Sequence, residues 1–281
     1  MGTLYVVATP IGNLNDMTKR AIQTLKDVDI ILCEDTRHSL KLLNHYEIKN
    51  KLISYHKFNE KERTQSIINY LKEDKQIAII TDAGTPCISD PGYILIKEAR
   101  LNNINITPIG GISALITALS ISGLKSDNFT FYGFFPREQK DKKELIKNIK
   151  DSNINTFIFY ESPNRIIKTL EYLREELEDI NISVSSDLTK LHEKNYYGQI
   201  DKVIKELKDN ENATKGEYTF IIETKNTPKE EINLSIEAQL IDIIIKNKTS
   251  LKEAINILNE KTNYKKKDIY NASLNLKDIK F

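Results

Sequence analysis

The sequence has few cysteines, and no paired spacing of cysteine and histidine that is typical of a zinc site. Its two cysteines, Cys33 and Cys87, lie far apart and are too few for a disulfide framework. We therefore predict that the protein works in a reducing compartment and holds no metal ion.

Long hydrophobic runs and an excess of charge of one sign are also absent. No run reaches the length of a transmembrane helix, and the first residues lack a basic segment followed by a long apolar one. We therefore expect a soluble, cytoplasmic protein with no membrane partner. The 41 Lys and Arg residues nearly cancel the 40 Asp and Glu residues, so a nucleic acid would have to bind a local basic patch.

The length of 281 residues predicts about two domains, and we assign the first of them to residues 1–115. In this part, short runs rich in β-branched residues alternate with longer runs of helical periodicity. Predicted strands cover residues 4–8, 30–33, 52–55, 76–81 and 105–107, and predicted helices cover 18–26, 39–46, 60–73 and 93–102. This alternation is typical of a mostly parallel sheet with helices on both faces.

Residues 116–230 are predicted to form a second α/β domain, and residues 231–281 a helical extension. In the second domain we expect strands at 129–133, 156–160, 182–186 and 218–223, a hairpin-like strand at 193–200, and helices at 140–150 and 165–176. In the extension, helical spacing covers 236–246, 250–261 and 265–277, and Ser250 with Glu253 matches a capping box. The predicted fold class is therefore α/β, with two α/β domains and a small C-terminal helical extension.

Three loops rich in glycine and proline follow strands of the first domain, at 9–14, 81–92 and 108–114. Clusters of ionisable side chains at 33–38 and 55–60 follow two further strands. Because ligands bind at the carboxyl ends of parallel strands, we predict a bound cofactor at this edge of the sheet. Taken alone, each loop could be a simple connection and each charge cluster a solvated face. The absence of a G-x-G-x-x-G pattern disfavours a nicotinamide dinucleotide as the cofactor.

Eight stretches of the chain, in order, resemble one family of methyltransferases. They are VATPIGNLNDMTKRA, EDTRHSLKLLNHYEI, ISYHKFNE, TDAGTPCISDPGY, SALITALSISGL, FIFYESPNRI, LTKLHE and GEYTFIIE. Together they are similar to the branch of the tetrapyrrole methylase superfamily that methylates a cytidine 2′-hydroxyl in small-subunit (16S) ribosomal RNA. The resemblance implies the class III methyltransferase fold, with S-adenosyl-L-methionine bound between two α/β domains. It also implies a homodimer and small-subunit ribosomal RNA as the partner, with the assembled 30S subunit as the expected acceptor and free RNA as the alternative.

The resemblance assigns the glycine- and proline-rich loops to the cofactor. The implied cofactor-binding residues are Pro10, Gly12, Asp82, Gly84, Thr85, Ser113, Ala114 and Tyr160. The family usually has Pro-Gly-Pro-Ser-Ala where residues 110–114 read Gly-Gly-Ile-Ser-Ala, so we expect a more flexible loop there without the cofactor. The family also tends to have Arg-Glu where this chain has Ser186 and Asp187, which leaves the role of that basic group open.

Methyl transfer from a sulfonium to a hydroxyl needs the nucleophile, the methyl carbon and the sulfur in line. Because a ribose hydroxyl is a weak acid, a base or a nearby cation should remove its proton or stabilise the developing charge. With the resemblance, Lys190 is the first candidate for this catalytic role, and Asp35 and Glu161 are the others. Glu34 and Glu193 stay open as alternatives.

Basic residues that could contact RNA phosphates lie in several parts of the chain. The predicted RNA-binding residues are Arg37, His38, Lys143, Lys265 and Lys266. Such contacts would position the RNA without reading its sequence. Because most lysines are simply solvated, this set is a hypothesis.

Two other functions stay open. The same fold could methylate a tetrapyrrole or another small acceptor, since a fold does not determine the substrate. The chain could also be a non-catalytic RNA-binding factor in ribosome assembly, although this would leave the three glycine- and proline-rich loops unexplained. Binding of S-adenosylmethionine would separate an enzyme from a non-catalytic factor.

Overall fold

The computed structural model describes residues 1–178, 180–225, 234–262 and 264–276. The chain divides into two compact units, Met1–Asn226 and Thr227–Phe281. The first unit contains two five-stranded sheets. The predicted domain boundary at residue 115 lies inside this unit and stays a prediction.

The first sheet has five parallel strands, as the alternating pattern predicts. Helices α1 (Lys19–Asp27), α2 (Thr36–His45), α3 (Glu60–Lys72) and α4 (Tyr93–Leu101) connect the strands. The strands lie in the order β3-β2-β4-β1-β5 and are β1 (Thr3–Val7), β2 (Ile30–Cys33), β3 (Lys51–Ser54), β4 (Ile77–Ile79) and β5 (Asn105–Ile109). Because all five run in the same direction, the loops that follow them begin at one edge of the sheet.

The central strands of this sheet are buried on both faces, because their apolar residues are continuous rather than alternating. In β2, Leu32 belongs to a core cluster that contains Ile67 of α3 and Leu95 of α4. Its neighbour Ile31 belongs to the cluster on the other face, with Leu25 of α1. Each such side chain contributes about 1.5–3 kcal/mol relative to an exposed one. Packing on both faces holds the strand ends, and therefore the start of each loop, in place.

The second sheet is mixed, in the order β6-β7-β10-β8-β9. Its strands are β6 (Phe129–Phe134), β7 (Thr156–Glu161), β8 (Asn181–Ser186), β9 (Lys194–Gln199) and β10 (Tyr218–Glu223). Only β6 and β7 pair in parallel; the other described pairs are antiparallel. Tyr218, the first residue of β10, therefore lies opposite Glu161 at the end of β7 and Ser186 at the end of β8.

The helices of this half are α5 (Ala114–Ile121), α6 (Gln139–Asp151), α7 (Ile166–Glu176) and α8 (Ile200–Lys208). Helix α8 is missing from the sequence prediction, which places Ile200 at the end of a strand. Its buried residues Ile200, Val203, Ile204 and Leu207 have the spacing of one helix face. Strand β9 ends one residue earlier and pairs antiparallel with β8, as the hairpin prediction requires.

Helix α5 packs on the second sheet. Its Leu119 lies in a buried cluster with Ile158 of β7 and Ile221 of β10. The same cluster contains Ile11 from the loop after β1 and Leu188 from the loop after β8. Packing of these two loops places the edge of the second sheet against the carboxyl edge of the first, with a cleft between them.

The second unit is helical in its described part, as predicted. Its helices are α9 (Ile236–Asn247), α10 (Leu251–Lys261) and α11 (Lys266–Asn275), and its core contains Leu240, Leu258 and Ile269. The capping box of Ser250 and Glu253 is confirmed. The end of the last predicted helix, at residue 277, lies outside the described residues. Across the described parts of the chain, no helix is both long enough and apolar enough to pass through a bilayer.

Candidate active site

The loops after β1, β4 and β5 meet at the carboxyl edge of the first sheet. The N–H of Thr9 donates to the carbonyl oxygen of Gly84 at 2.8 Å, and the N–H of Gly84 donates to the carbonyl oxygen of Thr9 at 3.1 Å. Gly84 has a φ of 85°, which glycine adopts without the penalty of a Cβ atom. Gly111, after β5, lies so close to the residue that follows β1 that an added Cβ would come within 2.8 Å of Ala8 Cβ. The three loops therefore form one continuous structure.

Backbone strain is present in two loops near the cleft. After β4, Cys87 and Ser89 have φ values of 71° and 66°. After β8, Asp187 and Thr189 have φ values of 52° and 67°. Each such residue costs of order 1–3 kcal/mol, a cost that folded proteins concentrate at functional sites.

A cavity of about 380 Å³ lies between the two sheets, and we call it the inter-sheet pocket. This volume is within the range of about 300–1,000 Å³ that is typical of small-molecule sites. Both sheets contribute to its walls. The lining residues are Ile11, 81–85, 88–90, 113–114, Phe134, 160–163 and 217–219.

The inter-sheet pocket contains carboxyl groups in a partly buried environment. Asp82 and Asp90 both line it. Burial, with smaller contributions from the charges of Glu34 and Asp82, raises the pKa of Asp90 to about 6. Burial also raises the pKa of Glu34, and the charge of Asp82 adds to this shift. Because a bound cation would relieve the repulsion among these carboxylates, the pocket favours a positively charged ligand.

Aromatic rings form another wall of the inter-sheet pocket. Tyr160 lines the pocket, and its ring lies edge-to-face with Phe131 at 4.9 Å and Phe134 at 5.7 Å between centroids. Burial raises the pKa of Tyr160, so its hydroxyl stays protonated at neutral pH. The pocket therefore offers both an apolar surface and a hydroxyl group to a ligand.

A second cavity, of about 500 Å³, contains three basic side chains, and we call it the basic pocket. Its lining residues are 10–12, Leu14, His38, Lys41, Leu42, 82–83, Lys190 and Glu217. Ile11, Asp82, Ala83 and Glu217 line both cavities, so the two cavities meet at a shared wall.

Lys190 lies in the basic pocket between two carboxylates. Its Nζ donates to Glu217 Oε2 at 2.9 Å and lies 3.1 Å from Asp187 Oδ1. Its Cγ packs against the backbone of Gly12, where an added Cβ would overlap it. Burial lowers the pKa of Lys190, but the hydrogen bonds to Glu217 and Asp187 outweigh burial and raise the pKa above its usual value. Lys190 is therefore a cation at neutral pH rather than a proton acceptor.

The predicted cofactor-binding residues fall into both cavities. Pro10 and Gly12 line the basic pocket instead of the inter-sheet pocket. Ser113 occupies the N-cap position of α5 without a capping hydrogen bond from its side chain. The residues that line the inter-sheet pocket are Asp82, Gly84, Thr85, Ser113, Ala114 and Tyr160.

The contacts of Asp35 argue against its predicted catalytic role. Asp35 lines neither cavity, caps α2 and accepts a hydrogen bond from the Arg37 N–H at 2.8 Å. The Arg37 side chain also pairs with it at 3.1 Å. Hydrogen bonds from Arg37 lower the pKa of Asp35 to about 2, which makes it a weak base.

Glu161 lines the inter-sheet pocket, but its carboxylate is occupied by other groups. It accepts a hydrogen bond from Thr169 Oγ1 at 2.7 Å and lies 3.1 Å from the Arg165 guanidinium. Its side chain has an exposed fraction of 0%. These contacts favour a structural role over the predicted catalytic one.

Of the predicted RNA-binding residues, His38 lines the basic pocket. Arg37 is exposed and pairs with Asp35, and Lys143 is exposed on α6. Lys265 and Lys266 are exposed at the start of α11, in the second unit. RNA binding by this set stays a prediction.

Glu217 is absent from the predicted site, although it lies in the quoted stretch GEYTFIIE. The predicted catalytic and cofactor-binding residues lie at or after strand ends, whereas Glu217 precedes β10. Because β10 runs antiparallel to β7 and β8, its amino end lies beside their carboxyl ends. The signal for Glu217 was therefore the direction of one strand, which local sequence does not reveal.

The fold and the cleft define an α/β protein in which a pocket that favours a cationic small molecule meets a basic pocket. The chain belongs to the family of tetrapyrrole (corrin/porphyrin) methylases, whose family model matches residues 3–204. This match confirms the superfamily that the eight stretches indicate. Within the described residues, no group of three or more His, Cys, Asp or Glu side chains could hold a metal ion.

Relatives and solved structures agree with this family. Proteins named ribosomal RNA small subunit methyltransferase I from Haemophilus influenzae and Bacillus subtilis are 42% and 41% identical to this chain. The alignments cover 97% of this chain in both cases, and 96% and 94% of the two relatives.

Two solved structures share the fold at low sequence identity. Diphthine synthase has a TM-score of 0.61 at 11% identity, covering 80% of this chain and 90% of that chain. Uroporphyrin-III C-methyltransferase from Thermus thermophilus, complexed with S-adenyl homocysteine, has a TM-score of 0.55 at 14% identity. That alignment covers 79% of this chain and 97% of the other.

Proposed function

We propose that this protein transfers a methyl group from S-adenosyl-L-methionine to the 2′-hydroxyl of a cytidine in small-subunit ribosomal RNA. The observation that carries the proposal is the shared wall of the two cavities, of which the inter-sheet pocket is lined by carboxyl groups and only the basic pocket also contains basic side chains. The names of the two full-length relatives support ribosomal RNA as the acceptor.

The inter-sheet pocket fits S-adenosylmethionine in its chemistry. Asp82 and Asp90 would face the positive sulfonium, and the backbone around Gly84 and Thr85 would contact the rest of the cofactor. Tyr160 offers an apolar ring and a hydroxyl to the same ligand. When bound, the cofactor supplies an electrophilic methyl group on a cationic sulfur. A structure related in fold is complexed with S-adenyl homocysteine, which supports this choice of cofactor.

The basic pocket fits an acceptor that carries phosphate groups. His38 and Lys41 line it and would contact phosphate oxygens next to the acceptor ribose. The Lys190 ammonium would stabilise the negative charge that develops on the attacking oxygen. An in-line reaction requires the methyl carbon to lie between the two cavities, at their shared wall.

The finer parts of this function rest on the family resemblance. They are the cytidine 2′-hydroxyl as target, the assembled 30S subunit as acceptor, and a homodimeric state. A ribosomal RNA target would place the reaction where ribosomal subunits assemble, which fits the cytoplasmic location expected from the sequence.

The test combines calorimetry with mapping of ribose methylation. We expect S-adenosylmethionine to bind. After reaction with unmethylated 30S subunits, we expect the RNA to resist alkaline cleavage at one cytidine, because cleavage requires a free 2′-hydroxyl. Naked 16S RNA in parallel reactions would show whether assembly is needed. Absence of cofactor binding would refute the proposed methyltransferase activity. If the protein binds the cofactor and methylates a tetrapyrrole but no RNA, the acceptor is a tetrapyrrole and not ribosomal RNA.

A further inference from the structure

Two carboxylates hold the Lys190 ammonium, but they occupy different places. Glu217 Oε2 lies 2.9 Å from Lys190 Nζ, and Glu217 lines both the inter-sheet pocket and the basic pocket. Asp187 Oδ1 lies 3.1 Å from the same nitrogen but lines neither of these pockets. Its carboxylate packs against Gly216, where an added Cβ would overlap it. Of this pair, Glu217 is therefore the carboxylate that faces the cavities.

We propose that Glu217 is a catalytic residue whose carboxylate accepts the proton of the acceptor hydroxyl at the shared wall. This assignment rests on the proposed function, because it names the proton acceptor of that methyl transfer. Asp82 also lies on the shared wall, but its place beside Asp90 in the inter-sheet pocket suits it to the sulfonium. Of these two wall carboxylates, Glu217 is the one that the described contacts pair with Lys190.

The step balances with the groups already named. A bond forms between the hydroxyl oxygen and the methyl carbon while the bond between the methyl carbon and sulfur breaks, and its electron pair stays on sulfur as a neutral thioether. The hydroxyl proton passes to Glu217, which becomes a neutral carboxylic acid. Because the Glu217 side chain is 72% exposed, it can then release the proton to water. The Lys190 ammonium stabilises the developing negative charge on the oxygen.

The groups around Glu217 determine how a pH profile must be measured. In the basic pocket, Glu217 faces Asp82, His38, Lys41 and Lys190. In the inter-sheet pocket, it faces Asp82, Asp90, Tyr160, Glu161 and Tyr218. Since the pKa of Asp90 is raised to about 6, the affinity for the cofactor can change as the pH passes through about 6. The cofactor and the RNA must therefore be saturating at every pH.

The test measures single-turnover methyl transfer to 30S subunits by the full chain, over a range of pH. Glu217→Gln and Asp187→Asn form a matched pair, because each removes one negative charge beside Lys190 and keeps an oxygen that can accept its hydrogen bond. For the wild type we expect the transfer rate to fall at low pH, because a protonated base cannot accept the hydroxyl proton. We expect Glu217→Gln to slow transfer by about 100-fold or more and to show no such fall. We expect Asp187→Asn to show a smaller loss and to keep that fall.

Glu217→Asp serves as the conservative variant. It keeps a carboxylate, so with saturating S-adenosylmethionine we expect partial transfer and a retained fall in rate at low pH. Equal losses with identical pH profiles in Glu217→Gln and Asp187→Asn would overturn the assignment, because Glu217 would then act only by holding Lys190. Wild-type rates in Glu217→Gln would overturn it as well. A wild-type protein that binds the cofactor but methylates no RNA would refute the proposed function itself.

Discussion

Lys190 makes contacts with three separate parts of the chain, and these contacts determine its protonation. Gly12 lies in the loop after β1, Asp187 in the loop after β8, and Glu217 just before β10. The resemblance indicates Lys190 as a base or a cation. The carboxylates of Asp187 and Glu217 favour the role of a cation, because they raise the pKa of Lys190 against the effect of burial.

For Lys190→Ala we expect intact cofactor binding and a loss of methyl transfer of about 100- to 1,000-fold, as for other electrostatic groups at a developing charge. Lys190 lines the basic pocket but not the inter-sheet pocket, so the affinity for S-adenosylmethionine should not change. Calorimetry and single-turnover kinetics measure the two quantities. Lys194→Ala is the control, because Lys194 is exposed on β9 and lines neither of these pockets. Wild-type turnover in Lys190→Ala would exclude Lys190 from the mechanism.

Asp90 predicts a pH-dependent stability. Its pKa is 3.8 as a free side chain and about 6 in the folded protein, so ionisation of Asp90 costs free energy in the fold. The cost is absent below pH 3.8, where Asp90 is protonated in both the folded and the unfolded protein, and it reaches its full size above about pH 6. We therefore expect Asp90→Asn to raise the free energy of unfolding at pH 8 by about 1 kcal/mol, after allowance for solvent screening, and to give a much smaller gain at pH 4. Urea denaturation at the two pH values measures this, and equal gains at both would contradict it.

The loop between β5 and α5 shows how one element tolerates or rejects a methyl group. An added Cβ on Gly111 would come within 2.8 Å of Ala8 Cβ, whereas an added Cβ on Gly110 would meet nothing within 4 Å. We expect Gly111→Ala to lower the free energy of unfolding by about 1–3 kcal/mol through overpacking. Gly110→Ala, as the matched control, should be neutral or should stabilise the fold by about 0.4–1 kcal/mol. Thermal denaturation of the pair measures the difference, and equal effects would contradict the close approach of this loop to β1.

At the scale of the elements, continuous apolar runs were the easiest part to predict. Strands β2 and β10 begin and end at the predicted residues, because each is a mostly apolar run flanked by polar residues. Helix α8 was missed because Ile200 fits both a strand end and a helix start. Residue types alone do not decide between these two periodicities at a boundary.

The candidate site was predictable to the extent that it follows parallel strands. Glycine, proline and aspartate after β1, β4 and β5 indicated the inter-sheet pocket, since parallel strands end at one edge. The positions of Pro10 and Gly12 in the basic pocket, and of Glu217 on the shared wall, depend on packing between two sheets. Such packing brings together residues that are far apart in the sequence, and a single sequence carries no local signal for it.

At the scale of the whole molecule, the net charge is close to zero, with 41 basic and 40 acidic residues. The RNA binding that we propose must therefore come from local basic groups, and each phosphate contact would add to its salt dependence. For Lys41→Ala we expect a uniform loss of RNA affinity and a salt-dependence slope smaller by about 1. Filter binding at several salt concentrations measures the slope. Lys208→Ala is the control, because Lys208 lines neither of the two pockets and its Nζ lies 2.6 Å from Glu171 Oε1. Equal slopes in both variants would contradict a phosphate contact by Lys41.

The reciprocal hydrogen bonds between Thr9 and Gly84 link a loop that lines the inter-sheet pocket to the segment that leads into the basic pocket. Gly84 contacts the methyl donor in the proposed complex, and Thr9 leads directly to Pro10 and Gly12 on the acceptor side. A donor that orders the Gly84 loop would therefore also order the segment that contacts the RNA in the proposed complex. We expect an obligatory sequence of arrival, with S-adenosylmethionine entering the enzyme before the ribosomal substrate.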